Sequence, residues 1–121
     1  EISYIHAEAF AAGELKHGTI ALIEKGTPVI AIATQEELFE KMVSNMEEVR
    51  ARGAYVIAIA QEKNTEVEKA ADKVIYIPNV DDIVSSILTV LPLQLLSYYV
   101  AVERGCDVDK PRNLAKSVTV E

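Results

Sequence analysis

The sequence predicts an α/β fold, a three-layer α/β/α sandwich on a parallel sheet, and three observations carry that expectation. Two runs rich in β-branched residues, Pro28 to Ala33 (PVIAIA) and Tyr55 to Ala60 (YVIAIA), contain no charged side chain, the mark of strands buried on both faces. A shorter run, Val74 to Ile77, reads as a third strand. Helical patterns separate the runs, so neighbouring strands pair in parallel. The thirteen residues between Ala60 and Val74 are about the ~10 to 12 that a crossover requires. Three strands are fewer than the ~4 to 6 usual in a sheet, so the pattern is that of a sheet with one or two strands missing on its N-terminal side.

Taken in order, Ile2 to Leu15 is rich in alanine and places Ile2, Ile5, Ala9 and Ala12 on one stripe, which predicts a helix. Gly13 weakens its last turn and Gly18 ends it, leaving Lys16 and His17 where the helix dipole favours cations. Thr19 to Lys25 is a short apolar turn stopped by Gly26. After the first strand, Thr34 with Glu37 has the form of a capping box. Leu38, Met42, Met46 and Val49, with Phe39 and Val43 beside them, then trace an apolar helix face up to Gly53. Thr65 with Glu68 opens a short helix. Asp81 or Asp82 opens the last one, which carries Ile83, Ile87, Val90 or Leu91, Leu95, Tyr98 and Val102, should kink at Pro92 and ends at Gly105. Beyond it, Pro111, Asn113 and Ser117 interrupt the apolar residues Leu114, Ala115, Val118 and Val120. That tail should lie extended or irregular against the globule, dividing the chain into a domain over 1–104 and a tail over 105–121.

Composition narrows the function. The 121 residues are 50% hydrophobic, enough for a buried core. A net charge of -7, from 19 acidic and 12 basic residues, argues against nucleic acid as a partner. The lone Cys106 forms no internal disulfide and no charged leader precedes the pattern, so a cytoplasmic location is expected. The apolar stretch Ile83 to Val102 is interrupted by Ser85, Ser86, Thr89, Pro92, Gln94 and Ser97, which suits a buried helix better than a membrane span. No GxGxxG, P-loop, HExxH or spaced Cys and His cluster is present, so neither a cofactor nor a metal is expected.

Both ends carry longer signatures. The segments EISYIHAEAFAAGELKHG and DKPRNLAKSVTVE resemble the C-terminal half of the isomerase domain in the glucosamine 6-phosphate synthase family, the glutamine:fructose 6-phosphate amidotransferases. The resemblance runs through the whole chain. It implies a sugar isomerase (SIS) fold with five parallel strands, fructose 6-phosphate and glucosamine 6-phosphate as ligands, and a chain that is a fragment inactive by itself. The glutaminase domain, the first SIS subdomain with its phosphate loop and a helper lysine would all lie upstream. Motif by motif, Glu1 falls where that family has its enolising base, His17 where it has the ring-opening histidine, and Lys116 where it has an imine-forming lysine. Ala115, next to Lys116, falls in the substrate-contacting position. These residue types suit the chemistry, since moving a ketose carbonyl to an aldose needs a carboxylate to shuttle a proton, a group of near-neutral pKa and a cation or amine at the carbonyl. From the residues alone, the alternative is a solvent-exposed lysine on a closing strap. At the level of function, the alternative is a noncatalytic SIS module that binds a sugar phosphate as a regulator.

A helix over residues 1 to 15, at ~1.5 Å per residue, would hold Glu1 and His17 on the order of 20 Å apart, too far for both to touch one sugar. Either the helix breaks at Gly13 or the two belong to different subunits. The resemblance favours a homodimer in which His17 is donated across the interface.

Overall fold

The computed structural model describes residues 1–112. Strands β1 (Pro28–Ala33), β2 (Tyr55–Gln61) and β3 (Lys73–Ile77) form one parallel sheet in the order β1-β2-β3. Helices α1 (Phe39–Ala51) and α2 (Asp82–Glu103) flank it, with 3₁₀ turns at Ala12–His17, Thr19–Leu22, Glu36–Leu38 and Thr65–Lys69. All three strands lie where their apolar runs place them. The α/β class with a parallel sheet is the one expected.

The chain forms two compact units, one of Ala9–Val90 and one of Glu1–Glu8 with the chain from Leu91 onward. The first holds the sheet. The pleat sends Ala31, Ala33, Val56, Ala58 and Ala60 to one face, where they form the core with Met46 and Val49 of α1 and with Val67 and Ala70. Small strand residues let the helix approach closely. The other face carries Ile30, Ile32, Ile57, Ile59, Ile75 and Ile77, in register across the three strands. Ile59 and Ile77 are buried, but Ile30 and Ile32 remain 38% and 44% exposed. The expectation of strands buried on both faces therefore holds for β2 and fails for this side of β1.

α1 ends in a Schellman motif: Ala54 N–H donates to the Val49 carbonyl at 3.2 Å and Gly53 N–H to that of Arg50 at 2.9 Å, with Gly53 at φ 100°. The Gly53 carbonyl then accepts from Gly26 N–H at 2.7 Å, which aligns the chain entering β1 with the chain entering β2.

Three expectations are corrected. The helix over Ile2 to Leu15 does not form; residues 1–11 are irregular and only Ala12–His17 coils, as a 3₁₀ turn. Alanine supplies propensity, but a helix of about this length needs an apolar face to bury, and most of these residues are exposed. Thr34 is not a helix cap: α1 and the 3₁₀ turn before it begin without a side-chain cap, and Thr34 is instead buried in a polar network. Finally, α2 runs as one element through Pro92, but Ile83, Ile87, Leu91, Leu95, Tyr98 and Val102 are 86%, 64%, 52%, 55%, 45% and 47% exposed. The expected buried helix is thus not covered by this chain's described residues.

Candidate active site

His17 is the last residue of the Ala12–His17 turn and is exposed. Its neighbours fix it. Leu15 packs against the core, and Lys16 reaches α1 with its Nζ 2.8 Å from Glu48 Oε2. That hydrogen bond, with the charges of Lys16 and Arg52, outweighs partial desolvation and holds the Glu48 carboxyl below its ordinary range. With residue 15 turned inward and residue 16 tied to α1, the imidazole of residue 17 is left at the surface.

Glu1 is also exposed, in the other unit, so the structure does not bring it into one unit with His17. Its carbonyl accepts from Tyr4 N–H at 3.1 Å, closing a turn. Tyr4 has φ 52°, a left-handed conformation that a bulky side chain adopts only where its surroundings require it. Those surroundings come from the other end of the described chain. The Arg112 backbone N–H donates to Tyr4 Oη at 2.7 Å, and the Arg112 guanidinium carbon lies 3.7 Å from the centre of the Tyr4 ring. His6, in the same segment, is exposed, and its Nε2 lies 3.1 Å from Glu8 Oε1.

The path from α2 to Arg112 is set by local chemistry. Gly105, at φ 68°, completes a second Schellman motif in which Cys106 N–H donates to the Ala101 carbonyl at 2.9 Å. Asp107 Oδ1 then accepts from the backbone N–H groups of Asp109 and Lys110 at 3.0 and 2.9 Å, and Pro111 follows. Lys116 and Ala115 lie outside the described residues.

Sequence reasoning missed two features. One is the Tyr4–Arg112 contact, for which neither residue's local pattern gave a signal. The other is a buried polar network at the carboxyl ends of β1 and β2. Gln61, fully buried, donates from Nε2 to the Thr34 carbonyl at 2.9 Å and accepts at Oε1 from Val80 N–H at 3.1 Å. Ser85 Oγ bonds the Asp82 carbonyl at 2.7 Å and Thr34 Oγ1 at 3.4 Å, and Thr89 Oγ1 bonds the Ser85 carbonyl at 2.7 Å. The signal was available: Ser85 and Thr89 sit four apart on an otherwise apolar helix. Beside this edge lies a cleft of about 680 Å³ lined by Glu36, Glu37, Glu40, Lys41, Lys63 and Glu66 among others. Lys63 is paired with Glu36 and its pKa is raised by that hydrogen bond. The acidic excess opposes binding of a phosphate there.

Residues 1–104 match the family model described as the SIS domain. The chain is 67% identical over all 121 residues to the isomerizing glutamine-fructose-6-phosphate aminotransferase of Caldanaerobacter subterraneus and 64% identical to that of Clostridium acetobutylicum, covering 20% of each. Among solved structures it superimposes on the C-terminal domain of glucosamine-fructose-6-phosphate aminotransferase from Francisella tularensis with a TM-score of 0.84 and 43% identity. That match covers 92% of this chain and 32% of the other. The chain therefore spans about a fifth of the length of the curated relatives it matches. Helix α2, long and apolar enough to cross a membrane, lies inside the matched span and is an element of that domain. With a match that takes in the whole parallel sheet, both flanking helices and the segments bearing Glu1 and His17, the chain belongs to the SIS domain family.

Proposed function

We propose that this chain is the C-terminal part of the isomerase half of an enzyme that converts fructose 6-phosphate and glutamine-derived ammonia to glucosamine 6-phosphate. The observation that carries the reading is the identity of 67% across all 121 residues with a relative bearing the aminotransferase name. In this reading His17 assists opening of the sugar ring. Lys116 condenses with the exposed C2 ketone, losing water to form an imine, and ammonia displaces the lysine amine. Glu1 then takes a proton from C1 and returns it to C2 while the C1 hydroxyl proton passes to the nitrogen, leaving an aldehyde at C1 and an amine on C2. Ala115 lines the approach to Lys116. The phosphate is held by residues upstream of this chain, as the family resemblance implies, so residues 1–121 alone are inactive.

A homodimer with His17 supplied by the neighbouring subunit is part of the proposal, as is a cytoplasmic location. The dimer rests on the resemblance alone, because the helix that would have separated Glu1 from His17 is absent.

Lys116→Ala in the full-length protein tests the reading. Isomerisation should fall by on the order of a thousandfold or more with an unchanged melting temperature, and borohydride should trap a sugar adduct in the wild type but not in the variant. A wild type that binds the sugar phosphate yet neither isomerises it nor forms a reducible adduct would instead mark a sensor module.

A further inference from the structure

We infer that Lys16 and Glu48 are positioning residues for the imidazole of His17, through an ion pair that ties the Ala12–His17 turn to α1; the inference rests on the proposed role of His17 in opening the sugar ring. The imidazole is exposed, so its place is inherited from the backbone beneath it. That backbone is a six-residue 3₁₀ turn, which holds no buried residue and begins without a side-chain cap. Short 3₁₀ coils have poor hydrogen-bond geometry and do not keep their shape unaided. Two attachments supply what the turn lacks. Leu15 packs against the core, and Lys16 Nζ lies 2.8 Å from Glu48 Oε2 on α1.

The anchor is itself held. Glu48 Oε1 lies 3.3 Å from Arg52 Nη1, one turn further along α1, and the same nitrogen donates to the Glu48 carbonyl at 3.2 Å. One carboxylate oxygen thus faces Arg52 and leaves the other for Lys16, with the acid N-terminal to the base as suits a helical pair. α1 is fixed in turn by Met46 and Val49, buried in the core on either side of Glu48 in the sequence. A rigid element thereby reaches the residue directly before His17. The pair is a poor device for stability alone, since the Lys16 and Glu48 side chains are 50% and 30% exposed. It does set the direction of the chain at residue 16, and Gly18 on the far side brings no side chain to do so. A group that opens a sugar ring must come within hydrogen-bond reach of the proton it moves, and displacement on the order of 1 Å costs on the order of a hundredfold in rate.

The test measures fructose 6-phosphate turnover by the full-length protein carrying Lys16→Met, Glu48→Gln, both together, Lys16→Arg, or Lys16→Met in a His17→Ala background. Because the pair is partly in water, the expected loss in kcat for either single neutral variant is modest, about three- to tenfold, with KM close to wild type. The double variant should be no slower than the worse single one, and Lys16→Arg, which can still pair with Glu48, should keep most of the rate. In the His17→Ala background Lys16→Met should cost less than about twofold more, because a residue that acts through the imidazole has nothing left to act on. Single variants within about twofold of wild type, losses that multiply in the double variant, or a Lys16→Met loss undiminished without His17 would overturn the inference while leaving His17 in its role. A raised KM at unchanged kcat would overturn it as well, by making Lys16 a ligand of the sugar phosphate. A His17→Ala protein as fast as wild type would remove the role of His17, and the purpose of the pair with it.

Discussion

Gly53 shows how much one backbone position can decide. Its φ of 100° is costly for any residue with a side chain, and a Cβ built there would lie 3.0 Å from the Lys25 Cα, a backbone atom with no room to yield. Gly105 has φ 68° but nothing within 4 Å of such a Cβ. Gly105→Ala should therefore cost about 1 kcal/mol, and Gly53→Ala about 2 to 4 kcal/mol because the Schellman turn and the approach of residue 25 are strained together. Urea unfolding of each would check the order, and an equal loss at both would show that the close approach to Lys25 contributes nothing. Both glycines were legible as helix stops. Tyr4 was not, because nothing about an aromatic residue in an alanine-rich segment announces a left-handed backbone. Its backbone closes a turn onto Glu1 and its hydroxyl meets Arg112, 108 positions away.

At the scale of elements, the strands were legible because continuous apolar runs of four to six residues have few alternatives, and β1 falls on its run without a shift. The N-terminal helix misled because a stripe of Ile2, Ile5, Ala9 and Ala12 has helical spacing whether or not anything covers it. In the structure Ile5 is 49% exposed, so no burial repays the ordering of a helix. The Ala12–His17 turn is held instead by Leu15 and by the Lys16–Glu48 pair, and that pair gives it a pH dependence. Since the folded-state pKa of Glu48 is lowered chiefly by its hydrogen bond to Lys16, its stabilisation is present above the ordinary carboxylate range and lost as pH falls through the lowered value. Glu48→Gln should then melt slightly below wild type at pH 7, and the gap should close in acid and in high salt, as suits a partly exposed pair. A gap that persists unchanged from neutral pH to below the carboxylate range would assign the effect to packing. Thr34 is the other instructive error: a threonine three residues before a glutamate has the form of a cap. The carboxyl edge of the sheet uses it instead as a partner for Gln61 and Ser85, contacts that no local pattern encodes.

For the molecule as a whole, the candidate site is only partly legible in one chain. Glu1 and His17 are exposed residues of different units, and Lys116 lies outside the described residues. Their roles come from motifs rather than from an assembled pocket. The proposed homodimer makes a prediction at this scale. Mixing full-length Glu1→Gln with His17→Ala under subunit exchange should restore about a quarter to half of wild-type activity, from heterodimers with one intact site. Proven heterodimers with no recovery would place both residues of a site on the same chain. The exposed isoleucines of β1 and the apolar residues of α2 are surfaces that the described residues leave uncovered, in keeping with a chain that covers a fifth of its relatives.

The reach of the Tyr4–Arg112 contact also bears on when the N-terminal segment can be anchored during synthesis. β1, α1, β2 and β3 follow one another closely, and their pairing can begin as soon as Ile77 has left the ribosome. Tyr4, made earlier than any of them, must wait for a partner translated more than a hundred codons later. Until Arg112 emerges, the nascent chain carries a folded sheet and an N-terminal segment without its anchor, so the turn bearing His17, held by Leu15 and by Lys16 against α1, is set before the segment bearing Glu1.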